Sequence, residues 1–377
     1  MNHEEYHPPA WNIAAAVGSI GAGYYYFLNF AHFGLLHLLQ LATGGPTGAV
    51  RLAQAAITAA GAAGVAGSVL AARRYTVQRG PAQLTTAFAL CALGAALPLV
   101  ITRPAMLALV AIPSGFGIGA ATVTLAVMLR RAVGRERLGT CVGLGTGLAY
   151  GVSNLPGVFN ASSSFQAVLA FLAACVGVIC SQLIEPSGPG EKPTGVDYEP
   201  PGVLLWVVIL LALVGLDTTA FYVIQHTPGL RENTWSGAPR LYANAAGHFL
   251  AAWAAGYALD RRWIGVSTLI AATLLLTACF LLVEQHRFFS VGVIFYTAGV
   301  SAYSTVLVFY PARGARPGLT ALVFAVAGWG GSAAGVVLAQ GRSDLPGWLP
   351  VTTALAVGSA LWARRILLRR QDGPAGL

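Results

Sequence analysis

The sequence predicts an all-α membrane protein of twelve transmembrane helices, built as two six-helix bundles repeated in parallel. Three observations carry this. Hydrophobic residues make up 56% of the 377 residues and charged residues only 9%. A soluble domain carries roughly 25% charge, so this chain has lipid as its solvent. Next, Thr47-Gly-Ala-Val-Arg51-Leu, running on to Gly67-Ser-Val-Leu-Ala-Ala-Arg73-Arg74, is copied by Ser236-Gly-Ala-Pro-Arg240-Leu, running on to Gly256-Tyr-Ala-Leu-Asp260-Arg261-Arg262. The copies lie 188 or 189 positions apart, half the chain, which marks an internal duplication. Last, with both termini on the inner side, sixteen of the 22 Lys and Arg fall on that side and six on the other. That bias predicts cytoplasmic termini.

At about 20 residues per span, helices are expected near 11–41, 47–71, 81–101, 104–129, 138–159, 164–184, 202–226, 237–259, 263–283, 288–310, 318–340 and 346–366. Helix one follows Met1-Asn-His-Glu-Glu-Tyr, which has no basic n-region and no cleavage site, so it reads as a retained span. Helices two and eight are the copied pair. Helix one carries Gly21, Phe27 and His32 where helix seven carries Gly215, Phe221 and His226. Helix four runs Gly117-Ile-Gly-Ala120 into Arg131, as helix ten runs Gly299-Val-Ser-Ala302 into Arg313. The long polar stretch 185–201 separates the halves, giving bundles at 1–184 and 202–377 with a cytoplasmic linker. Six crossings are an even number, so the repeat is parallel, about an axis along the membrane normal. Cys91, Cys141, Cys175, Cys180 and Cys279 sit in apolar runs without a CxxC pair and read as packing residues.

The net charge of +9 follows from the topology and gives no support to a nucleic-acid partner. No phosphate loop, nucleotide fingerprint or metal-ligand spacing is present, so neither a cofactor nor a resident metal is expected. Twelve of the thirteen acidic residues fall in loops, termini or helix ends; Asp217 alone lies well inside a helix. A charge at membrane depth costs about 3 kcal/mol or more and faces protein or a cavity. A carboxyl in such a place takes up a proton more readily than one in water. Polar side chains four apart share a helix face. Arg240, Asn244 and His248 form such a stripe on helix eight, Arg51, Gln54 and Thr58 on helix two, and Tyr25, Asn29 and His32 on helix one. Tyr24, Tyr25, Tyr26, Tyr296, Tyr303 and Trp329 are aromatic candidates for a cavity wall.

The copied loops resemble the major facilitator superfamily, whose signature after helices two and eight is Gly-x-x-x-Asp-Arg with further basic residues. Gly256, Asp260, Arg261 and Arg262 fit it; the first copy has Gly67, Arg73 and Arg74 but Ala71 in place of the aspartate. The helix-four exit, Arg130 to Gly139, is also similar to that family. The resemblance implies a conformational latch at Gly256, Asp260, Arg261, Arg262, Arg73 and Arg74, and a central cavity lined by helices one, two, seven and eight. Glycine-rich helices five (Gly143, Gly145, Gly147, Gly151) and eleven (Gly328, Gly330, Gly331, Gly335) resemble those of nitrate/nitrite porters.

The expected function is secondary active transport of a small solute by alternating access, with no enzyme activity. The expected cargo is an anion, bound by Arg51, Gln54, Tyr25, Asn29, His32, Arg240, Asn244, His248 and Trp329. Proton coupling, as in a symporter, is expected through Asp217 and His248. Competing readings are an efflux antiporter of amphipathic compounds, a divalent-metal exporter using Asp217, Asn244 and His248, and a non-transporting subunit or assembly factor of a membrane complex. A monomer in the plasma (inner) membrane is expected. A cysteine placed at position 192 in a cysteine-free background should resist impermeant thiol reagents in intact cells; ready labelling from outside would reverse the topology.

Overall fold

The chain folds into helices that run almost end to end. A computed structural model describes residues 8–43, 46–101, 103–185, 202–283 and 288–371. The first helix, α1, is Ala10–Tyr26, which continues through a π-helical segment, Phe27–Gly34, into Leu35–Ala42. The rest of the first half is α2 (Pro46–Arg74), α3 (Gly80–Ala96), α4 (Pro104–Val133), α5 (Leu138–Ser153) and α6 (Ser163–Leu183). The second half is α7 (Val203–His226), α8 (Ala238–Asp260), α9 (Ile264–Val283), α10 (Phe289–Gly314), α11 and α12 (Trp348–Gln371). Helix α11 also changes pitch: Pro317–Leu322, a π-helical Val323–Gly330, then Gly331–Ala339. A short helix, Pro228–Trp235, joins α7 to α8. The linker expected at 185–201 lies, from 186 on, outside the described residues.

Helix starts follow local chemistry. Proline stands in the first turn of α3, α4, α8 and α11, where its missing N–H costs nothing. Ser162 caps α6 by accepting from the Phe165 N–H at 3.3 Å. Among the described residues, nine helical spans are long and apolar enough to cross a membrane. Helix α5, at 16 residues, is short, and α8 carries the Arg240–Asn244–His248 stripe.

Small residues set the packing. Glycines four apart on α5 meet the backbone of α8. A methyl group on Gly139 would stand 2.3 Å from the Gly256 carbonyl, on Gly143 2.4 Å from the Ala252 carbonyl, on Gly147 3.0 Å from the Phe249 carbonyl, and on Gly151 3.5 Å from the Ala245 carbonyl. The pair is thus pressed together at one end and opens toward the other. Helices α2 and α4 are as close: a methyl on Gly119 would lie 2.1 Å from the Gly64 carbonyl. Such approach needs residues without side chains at the seam.

The tight end is the face where α1 begins and α4, α6, α8 and α10 end. There Asp260 accepts from the Gly139 N–H (2.5 Å), the Thr140 N–H (2.8 Å) and the Thr140 hydroxyl (2.6 Å). Arg130 donates to the Arg313 carbonyl at 3.1 Å, and Asn12 ties α1 to the Ala132 carbonyl at 3.1 Å and the Glu185 N–H at 3.0 Å. The opposite face is open.

Candidate functional site

From the open face a cavity of about 660 Å³ descends between the halves. Its wall includes Asn160, Ala161 and Ser162 before α6, His226 at the end of α7 and Arg231 on the short connecting helix, which together mark the mouth. Its floor is built from α1, α5, α7, α8 and α10.

Asp217 is the chemical centre. Tyr296 and Tyr303 are seven apart on α10, two turns, and so point the same way. Tyr296 donates to one carboxylate oxygen at 2.5 Å and Tyr303 to the other. Asp217 as a residue is half-buried and lines the cavity. Two phenolic donors meet much of the need of a carboxylate away from water, yet each oxygen retains a free lone pair.

His248 lies beside this group on α8, 3% exposed, its Nδ1 bonded to the Ser301 hydroxyl at 2.7 Å. Its ring stacks on Tyr150 of α5, 4.8 Å between centroids and 7° from parallel. The Tyr150 hydroxyl meets the Ser304 hydroxyl at 2.9 Å, and the Tyr24 hydroxyl donates to the Ser304 carbonyl at 3.4 Å. The floor is therefore where side chains of the two halves interlock. Above it Trp235 donates to the Asn154 amide oxygen at 2.9 Å and sets its ring edge-on to Tyr296, at 5.6 Å and 89°.

The structure brings together Asp217, His248, Asn29, Tyr24, Tyr296 and Tyr303. Asn29 donates to the Ser153 hydroxyl at 2.6 Å. The other candidates lie elsewhere. Arg240 is exposed and donates to the Glu232 carbonyl at 2.7 Å, away from the cavity wall. Asn244 is buried against the Thr234 carbonyl, at 3.1 Å. Tyr25 and Tyr26 are buried in the helix core. Trp329 packs edge-on against Phe27 at 5.6 Å and lies over Gly64. The side chains of Arg51, Gln54 and His32 lie outside the described residues. Among the described residues no group of three His, Cys, Asp or Glu side chains stands close enough to hold a metal ion.

Tyr150, Ser301, Ser304, Trp235 and Arg231 carry no mark in the sequence that sets them apart. The seven-residue spacing of Tyr296 and Tyr303 was the signal for one shared partner, since phenol hydroxyls need partners in lipid. At the closed face Asp260 and Gly256 make the contacts just described. Arg261 donates to the Tyr257 hydroxyl, with its guanidinium 4.3 Å above that ring. Arg262 is exposed in the left-handed conformation that ends α8, at φ 66°. Arg73 and Arg74 are exposed at the end of α2, and the buried Ala71 supplies only a carbonyl, to Gln83 at 3.0 Å. Of the residues expected to form a latch, Asp260 and Gly256 meet the other half, at Gly139 and Thr140.

Two solved structures share this arrangement over nearly the whole chain. One is a Major Facilitator Superfamily transporter, FucP, in the outward conformation: TM-score 0.61 at 15% identity, over 94% of this chain and 99% of that one. This chain has the major facilitator fold. The other is the human organic anion transporter MFSD10 (TETRAN): TM-score 0.64 at 11% identity, over 94% of this chain and 100% of that one. No sequence-family model matches the chain, and no curated protein sequence does. Within the major facilitator fold, the cavity described here occupies the seam between the two repeats, where transporters built from such repeats hold their cargo.

Proposed function

We propose that the protein is a secondary transporter that moves a small organic solute by alternating access and is coupled to protons at Asp217. One observation carries this: a carboxyl within a span, on a residue that lines the central cavity, held by Tyr296 and Tyr303. A group in that position exchanges protons with one side of the membrane at a time when the cavity alternates. The open mouth and the Asp260 latch on the opposite face support an outward-facing state, given cytoplasmic termini in a plasma (inner) membrane. The working unit on this reading is a monomer, the described lining of the cavity belonging to one chain. Purified protein in liposomes loaded with a pH-sensitive dye tests the reading: cargo addition should move protons, and a cargo that crosses with no proton movement would refute the coupling.

A second reading, anion transport, has its support at the mouth, where Arg231, His37 and His226 line the cavity; the organic-anion activity is that of MFSD10. On that reading Arg231→Gln weakens apparent affinity by roughly fivefold, about 1 kcal/mol. The loss should shrink as salt rises, because exposed charges are screened over about 8 Å at physiological ionic strength. Arg240→Gln should change nothing. His248→Ala removes both the Ser301 bond and the stack on Tyr150, and should lower turnover at any salt. Flux assays across a salt series check all three; a salt-dependent loss in Arg240→Gln would restore that residue to the path.

A further inference from the structure

We infer that the cavity takes an amphipathic organic cation, with its charge held against Asp217 and its apolar body among the aromatic rings of the floor. This rests on the reading of Asp217 as the exchanging carboxyl. Among the described lining residues Asp217 is the one carboxylate. Around it stand the rings of Tyr24, Tyr150, Phe221, Trp235, Tyr296 and Tyr303. The negative face of an aromatic ring attracts a cation and repels an anion. The positive groups are placed otherwise: Arg231, His37 and His226 line the outer part of the cavity and are exposed, and His248 spends Nδ1 on Ser301. An anion here would be repelled by the carboxylate; a cation is drawn to it and finds apolar aromatic surface beside it.

Proton and cation then compete for one group. Loading converts the protonated carboxyl to a carboxylate paired with the cation and releases one proton to the side the cavity faces. The exchange is one for one and electroneutral, so a pH gradient drives it and a membrane potential alone does not.

Tetraphenylphosphonium and tetraphenylborate share shape and apolar surface and differ in sign of charge. Titration calorimetry on the purified protein in weakly buffered micelles should show saturable binding of tetraphenylphosphonium with release of a proton, and at least tenfold weaker binding of tetraphenylborate. Asp217→Asn should weaken the phosphonium at least tenfold, and Asp217→Glu, which keeps the charge, should restore most of it. Tighter binding of the borate, or an unchanged phosphonium affinity in folded Asp217→Asn, overturns the proposal. The comparison of the two ions on the unmodified protein needs no variant to fold. The infrared carboxyl band of Asp217 separates the two layers. If it titrates while the phosphonium shows no preference, the cation inference fails and the proton reading stands. If, at a pH where the infrared band shows Asp217 protonated, the phosphonium binds through it without releasing a proton, the proton reading fails and the cation site stands.

Discussion

Replacing Asp217 by asparagine is expected to abolish accumulation driven by a pH gradient. The amide has nearly the same volume as the carboxyl and keeps an oxygen for the hydroxyl of Tyr296 or Tyr303, while the other hydroxyl turns to accept from the new NH₂. The fold should therefore survive, with a stability change of about 1–2 kcal/mol at most, the scale of one exchanged hydrogen bond. What is lost, on the proposed coupling, is the ability to carry a proton through the cycle. Accumulation in liposomes should fall to the level of protein-free vesicles at every pH, because an amide does not titrate in this range. Counterflow of labelled cargo at equal pH on both sides then resolves the role. Persistence marks Asp217 as a proton carrier alone; loss marks it as the partner of the cargo as well. Gradient-driven accumulation that retains its normal pH dependence in this variant would place the proton elsewhere, with His248 the next residue to test.

A single methyl or larger group at Gly256 should break the closed face. A Cβ there would lie 2.3 Å from the Gly139 carbonyl oxygen and 3.1 Å from the Gly143 Cα, both backbone atoms that cannot swing aside. Overpacking a seam costs about 1–3 kcal/mol even where side chains yield, and a shift of about 1.4 kcal/mol is already tenfold in population. Separation of α5 from α8 would also strip Asp260 of the Gly139 and Thr140 donors. Gly256→Leu is thus expected to depopulate the state with this face closed and to cut transport at least tenfold. A cysteine at Thr140 should become reactive from that face in inverted vesicles. Gly157→Leu, where an added Cβ meets nothing within 4 Å, is the control and should transport normally. Normal transport in Gly256→Leu would mean the seam is not part of the cycle.

The helices were legible because lipid leaves the backbone one way to satisfy its N–H and C=O groups over a long apolar run. The copied halves were legible because duplication leaves its trace in residue order. Asp217 stood out since a carboxylate inside a span is costly and rare. The π-helical segments of α1 and α11 were not legible: Phe27–Gly34 and Val323–Gly330 read as ordinary apolar helix. The glycines of α5 looked like a family mark, and their face could be drawn, but the helix they press against, α8, lies about a hundred residues away in the chain. The stripe on α8 was a real face, yet it divides between three surroundings: Arg240 in the open, Asn244 on Thr234, His248 on the cavity floor.

Composition and local order along the chain are enough to read the apolar spans, their order, the repeat and the carboxyl inside a span. Which polar groups meet follows from how the helices pack. Depth and rotation of a helix are set by close packing against its neighbours, and each residue turns the helix by about 100°. So it was the seating of α10 against α7 that brought Tyr296 and Tyr303 onto Asp217, and the seating of α8 against α5 that laid His248 on Tyr150 and left Arg240 outside.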